Sequence, residues 1–135
     1  MMKRDVPVYL ITGFLESGKT QFLDFTIHQS YFQIPDKTLL ILCEEGEEEY
    51  DEESLKKMNT VIEIIEDPED FNEDTLQMLN KKHQPGRVLV EYNPLWSVDK
   101  LYQTDMPRYW DLAQHIVTVD ASTFQIYMNN MKSLF

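Results

Sequence analysis

Residues 13–20 read Gly13-Phe14-Leu15-Glu16-Ser17-Gly18-Lys19-Thr20, the spacing G-x-x-x-x-G-K-T. That spacing suits one chemistry, the cradling of a phosphate chain in a P-loop. Gly13 and Gly18 let the backbone curl until successive N–H groups point inward at an anion. A helix that follows adds N–H groups with no intrahelical acceptor, together with the positive end of its dipole. Lys19 is placed to reach the β- and γ-phosphates, and the Thr20 hydroxyl to ligate Mg²⁺. A glycine turn with a chance lysine is the plain alternative. Context disfavours it, because an apolar run at 6–11 precedes the pattern and a helix-like stretch at 21–32 follows it.

Two groups of carboxylates complete the candidate chemistry. The run Arg87-Val88-Leu89-Val90-Glu91 reads as a strand ending in an acid. Downstream of a P-loop, such an acid supplies the second carboxylate near Mg²⁺ and its waters. The competing explanation is a strand-end charge facing solvent. Residues 44–53 hold eight acids in ten positions. A run of this kind is ordinarily a solvated loop. It directly follows a strand at 38–43, however, and loops at the C-terminal ends of parallel strands line the ligand crevice. One or two of these acids are expected to face Mg²⁺, with Glu44 and Glu45 as candidates. Cys43, at the end of that strand, reads as a small core residue rather than a ligand.

The elements that must hold these groups are visible as alternating apolar patterns. Short apolar runs at 6–11, 38–43, 61–65, 87–91 and 115–120 read as buried strands. Between them lie helix-like stretches at 21–32, 54–59, 67–83 and 98–103, and a last one at 123–134. Asp67 is expected to cap the third with Pro68 at its first position, and Ser97 to cap the fourth. His83 sits where a basic residue suits the C-terminal dipole. Tyr102, Met106, Tyr109 and Trp110 form an aromatic-rich segment, read as cover for a sheet edge or core face, with a partner surface as the alternative. Strand–helix alternation throughout predicts an α/β fold: a three-layer, P-loop-type domain with a mainly parallel sheet of about five strands and helices on both faces.

Composition bounds the function. At 135 residues the chain is sized for one domain. Its 24 acids against 12 bases give a net charge of −12. A nucleic-acid partner is thereby disfavoured, since phosphate neutralisation needs clustered Lys and Arg. A nucleotide is not, because a P-loop binds through backbone amides, one lysine and a divalent cation. The single cysteine leaves no disulfide framework. No run approaches the length of a membrane span, and the apolar start ends in Gly-Lys-Thr with no cleavage-type site. Cytoplasm is the expected compartment.

The stretch 6–20, Val-Pro-Val-Tyr-Leu-Ile-Thr-Gly-Phe-Leu-Glu-Ser-Gly-Lys-Thr, resembles the opening of CobW/HypB/UreG-type P-loop GTPases, and is closest to the CobW branch with its T-G-F-L-G-x-G-K-T loop. Residues 40–51 fall where that branch has an N-E-x-G-E…D segment. Residues 88–91 match its apolar strand ending in Glu, and 116–124 (Ile-Val-Thr-Val-Asp-Ala-Ser-Thr-Phe) its V-V-D-A-x-x-F segment. The resemblance implies a Mg²⁺-dependent GTPase that serves a client metalloprotein in metal-cofactor delivery. It implies GTP contacts from Gly13, Glu16, Ser17, Gly18, Lys19, Thr20 and Gln21. Lys19 and Glu91 would take the catalytic roles, and Thr20, Glu44, Glu45 and Glu91 the metal.

Departures from that pattern shape the expectation. The family's C-x-C-C motif is replaced by Glu66-Asp67-Pro68-Glu69-Asp70, so thiolate metal binding is not supported. Its E-x-x-G reads Glu91-Tyr92-Asn93-Pro94 here, and proline has no N–H to offer a γ-phosphate. Cys43 replaces an asparagine, and Gln21 stands where a second threonine is usual. Asn80-Lys81-Lys82-His83 imitates the first half of the guanine-reading N-K-x-D, but lacks the aspartate and lies ahead of the fourth strand. The domain is therefore expected to be truncated before its guanine-specificity motif. Two other functions remain open at this point: a degenerate, non-hydrolysing nucleotide-binding and interaction module, and an ATP-dependent P-loop kinase.

Overall fold

Nine regular elements follow one another in the computed structural model, which describes residues 5–13, 25–30, 33–43 and 51–118. In order they are β1 (Val6–Gly13), β2 (Thr38–Leu42), α1 (Glu52–Lys57), β3 (Thr60–Ile64), a 3-10 turn (Pro68–Asp70), α2 (Glu73–His83), β4 (Arg87–Glu91), α3 (Val98–Gln103) and β5 (Trp110–Thr118). A helical turn is also seen at 25–27. The final helix expected at 123–134 lies outside the described residues.

The five strands pair in parallel in the order β3-β2-β4-β1-β5. A parallel sheet buries both faces, which explains why its strands read as continuous apolar runs. Val8, Leu10, Leu39, Ile41, Val88 and Val90 point to one face, where they meet Phe71, Leu76 and Leu79 below α2 and Leu101 of α3. Ile11, Leu40, Leu89 and Ile116 point to the other, against Ile27 and Leu55. Each such aliphatic side chain contributes about 1.5–3 kcal/mol on burial. The α/β architecture with helices on both faces is as the sequence predicts. Among the described residues no helix is long and apolar enough to cross a membrane.

Handedness explains how the helices divide. From β1 to β2 to β3 the chain moves one way across the sheet; from β3 to β4 to β5 it moves back. Right-handed crossovers running in opposite directions lie on opposite faces. The 25–27 turn and α1 accordingly cover one face, and α2 and α3 the other.

Local signals set the ends of the elements. Asp51 caps α1 by accepting from the N–H groups of Glu53 and Ser54. Asp67 does cap a helix, but it is the three-residue 3-10 turn, with the Glu69 N–H donating to its side chain. α2 starts later, at Glu73, capped by Asn72, whose Oδ1 accepts from the Thr75 N–H at 2.9 Å. Between the two caps, Phe71 is fully buried and bends the chain onto the sheet. α3 begins after Ser97, as expected. β5 starts at Trp110, five residues ahead of the expected 115.

His83 does more than complement a helix end. Its Nε2 lies 2.8 Å from Glu63 Oε1 on β3, and Lys82 Nζ donates to the same oxygen at 2.9 Å. Burial pushes the Glu63 carboxyl up, but these two partners together hold it below its ordinary value. Asn80, from the false guanine motif, accepts from the Trp110 indole N–H at 3.0 Å and so fastens the start of β5 to α2.

Phe71 packs edge-on against Tyr92 at 5.4 Å between ring centroids. Phe71→Ala is expected to cost roughly 3–5 kcal/mol, as for other buried aromatics cut to alanine. Urea unfolding followed by far-UV circular dichroism measures the loss.

Candidate functional site

The sheet delivers three strand ends to one edge. Ile11 of β1 and Leu42 of β2 lie on either side of Glu91 in the register. Backbone bonds extend that pairing by a step: the Cys43 N–H donates to the Glu91 carbonyl and the Tyr92 N–H to the Ile11 carbonyl, each at 2.9 Å. Glu91 is thus fixed between the two neighbouring strand ends and is only 2% exposed. Alternation along β4 puts its side chain on the face of Leu89, the face that packs Ile27 and α1.

Gly13 ends β1 with φ 145°. Residues carrying a Cβ avoid that region, and glycine enters it freely. The first glycine of the motif therefore stands where the chain leaves the sheet. Of the residues selected from sequence, Gly13 and Glu91 are described. Glu16, Ser17, Gly18, Lys19, Thr20, Gln21, Glu44 and Glu45 lie outside the described residues.

Gly13 and Glu91 flank a topological switch point. β1 connects toward β2 over one face, whereas its neighbour β4 connects toward β5 over the other. Loops leaving adjacent strands in opposite directions open a crevice between them, and open α/β sheets bind their ligands there. A wide depression at the opposite end of the sheet mixes Asp5, Asp36 and Asp74 with Lys81 and Arg108. It faces the strand starts, away from the edge that holds Gly13 and Glu91.

The turn after β4 is closed internally. Pro94 carries no N–H. The Leu95 N–H donates to Asn93 Oδ1 at 2.8 Å, and the Trp96 N–H to the Asn93 carbonyl at 3.1 Å. Positions 94–96 thus have no N–H directed outward. Tyr92 anchors the turn from below. Its ring meets Phe71 and Trp96 edge-on, and its hydroxyl donates to the Ser97 carbonyl at 2.7 Å. Burial, with Cys43 alongside, pushes this phenol up to about 12, so it remains a donor at neutral pH.

On the other face of β1 lies a contact that the sequence does not announce. Thr12 Oγ1 is 2.9 Å from His115 Nε2, and His115 Nδ1 is 2.6 Å from the Tyr102 hydroxyl. Burial holds the imidazole below its ordinary value. A histidine in an apolar strand was the available signal, but its facing depends on a register shift between Val8 and Tyr9 that the sequence does not show.

Mg²⁺ prefers oxygen ligands and is commonly held by one or two carboxylates plus phosphate and water. Glu91 fits that mode. Among the described residues no three His, Cys, Asp or Glu gather as an all-protein metal site. The acids at 66–70 are exposed, and Asp67 is occupied with its cap.

Two expectations follow from this edge. Gly13→Ala is expected to lower stability by about 1–3 kcal/mol, the range for a side chain forced into sparsely populated backbone space, measured by urea unfolding. For His115, the folded state favours the neutral ring, so its contribution is complete above the unfolded value of roughly 6.5 and is lost as pH falls toward the lower folded value. Between pH 7 and pH 5, Tm is expected to drop more steeply in the wild type than in His115→Asn.

Comparison with protein-family models, with curated proteins and with solved structures finds no match. The likeness to CobW-type GTPases therefore stands on the quoted residues alone.

Proposed function

We propose that the chain is a Mg²⁺-dependent, GTP-binding P-loop domain of the kind the CobW-like loop implies. One observation carries most weight: the motif's first glycine, at φ 145°, and the buried Glu91 stand at the switch point of a parallel sheet, where open α/β sheets bind their ligands. In this reading the backbone N–H groups of residues 14–20 hold the phosphates and Lys19 offsets their charge. Thr20 and Glu91 hold Mg²⁺ or its waters, helped by Glu44 or Glu45. Bound Mg²⁺ neutralises charge on the transferred phosphoryl group, while the chain's own groups orient the nucleotide. Metal delivery to a client metalloprotein, and a cytoplasmic setting, are carried only by the resemblance. A thiolate route for the metal has no residues to support it.

A second reading has its own observation. Pro94, with the Leu95 and Trp96 N–H groups committed to Asn93, leaves positions 94–96 without an outward N–H for a γ-phosphate. This favours a module that binds nucleotide and turns it over slowly or not at all. An ATP-dependent kinase is less favoured, since the T-G-F-L lead-in and the V-D-A segment fit the GTPase pattern.

Calorimetry with GTP, GDP and ATP, with and without Mg²⁺, tests both readings. The wild type is expected to bind GTP in preference to ATP, with Mg²⁺ required. Lys19→Ala is expected to weaken binding roughly ten- to hundredfold, as for loss of a charged hydrogen bond worth about 1.5–3 kcal/mol. No Mg²⁺-dependent binding by the wild type would overturn the assignment. Comparable affinity for GTP and GDP with negligible single-turnover hydrolysis identifies the non-hydrolysing module.

A further inference from the structure

We propose that His115 is a positioning residue for the phosphate loop, tying Tyr102 of α3 to Thr12, the residue immediately before Gly13. The proposal rests on the nucleotide-binding reading above and deepens it by adding a coupling element.

Strand register is what creates the contact. Val8 pairs with Leu112 but Tyr9 with Gln114, so Ala113 is an extra residue in β5. One inserted residue exchanges the faces of everything beyond it. Trp110 packs in the α2–α3 core, and simple alternation from it would send residue 115 to the opposite face. The bulge returns His115 to the side of Thr12 and α3. Ile116 correspondingly joins the other core.

The tie acts where β1 is supported from one side. Pairing with β4 ends at Ile11, whereas pairing with β5 continues through Thr12 to Gly13. The last two residues before the loop are therefore held by the strand that bears His115. Thr12 is 8% exposed and Tyr102 55% exposed, so the chain of contacts runs from the protein interior to its surface. A neutral imidazole has one donor and one acceptor nitrogen. If Tyr102 donates to Nδ1, then Nε2–H donates to Thr12, and the opposite tautomer reverses both bonds. Either way the two hydroxyls are linked in one direction. α3 also follows the Asn93–Trp96 turn that leaves Glu91. The two strand ends flanking the crevice are thus joined a second time, through α3, Tyr102, His115 and Thr12.

The experiment combines calorimetry of Mg²⁺–GTP binding with urea unfolding, using Tyr102→Phe, Thr12→Val, their combination and Thr12→Ser. Tyr102→Phe removes one oxygen from a half-exposed ring and preserves the fold. It is expected to weaken GTP binding about three- to tenfold, with the unfolding midpoint lowered by no more than the loss of one net hydrogen bond. Thr12→Val is expected to weaken binding at least as much, and Thr12→Ser to restore it. The double variant is expected to be no weaker than Thr12→Val alone, because both act through the same ring. In the wild type, the His115 ring resonances are expected to shift when Mg²⁺–GTP saturates the site.

Binding that depends on Lys19 but stays within twofold in Tyr102→Phe overturns this proposal alone. Additive losses in the double variant, or unmoved His115 resonances, do the same. A wild type that does not bind Mg²⁺–GTP, or binds equally well with Lys19→Ala, overturns the nucleotide reading and this one with it.

Discussion

Strand β4 has a parallel neighbour on each side and all five of its residues buried. No backbone group along it can turn to water, so each must find its partner in β1 or β2. That demand fixes how the three strands slide against one another. A slip of one residue would turn Val88 and Val90 out of the core beneath α2 and α3 and bring the Glu91 carboxylate into it. Glu91 comes to rest between the ends of β1 and β2 as the last residue of this doubly paired strand.

The same constraint produces the crevice. A sheet covered on both faces needs crossovers that go to both, and right-handed crossovers can do so only by reversing direction. Reversal between β1 and β4 puts a switch point at their shared edge, where Gly13 ends β1. The turn at 93–96, beside that edge, is firmly held. Its proline and its asparagine close the backbone on itself, and Tyr92 pins it to the core. A turn stabilised in this way has few alternative arrangements.

How much of this was legible in the chain depends on the source of each signal. β4 and α3 begin and end where the sequence places them, because a dense apolar run and a serine cap are local features. The glycine motif and Glu91 were likewise legible as types at a spacing. The start of α2 was misplaced because Asp67 and Asn72 are both competent caps. Only the burial of Phe71 between them, a tertiary effect, decides which one begins the long helix. The early start of β5 was hidden for a related reason. Asp111, Ala113 and Gln114 are exposed on an outer strand and show no alternation. The extra residue at Ala113 also leaves no mark in composition, although it decides which way His115 faces. Glu44 and Glu45 fall outside the described residues, so their expected roles rest on position in the chain alone.

The end of β1 thus divides two kinds of chemistry by its two faces. Glu91 lies on the side of Ile27 and α1. Thr12 and His115 lie on the side of α2 and α3. A chain of net charge −12 generally favours protonated histidine, since an added positive charge relieves repulsion. At His115 burial outweighs that field and keeps the ring toward its neutral form. Neutrality is what gives the contact a direction, because an imidazolium would donate from both nitrogens. The sheet separates this neutral tie from the Glu91 carboxylate. The element common to both is the backbone of β1 as it reaches Gly13.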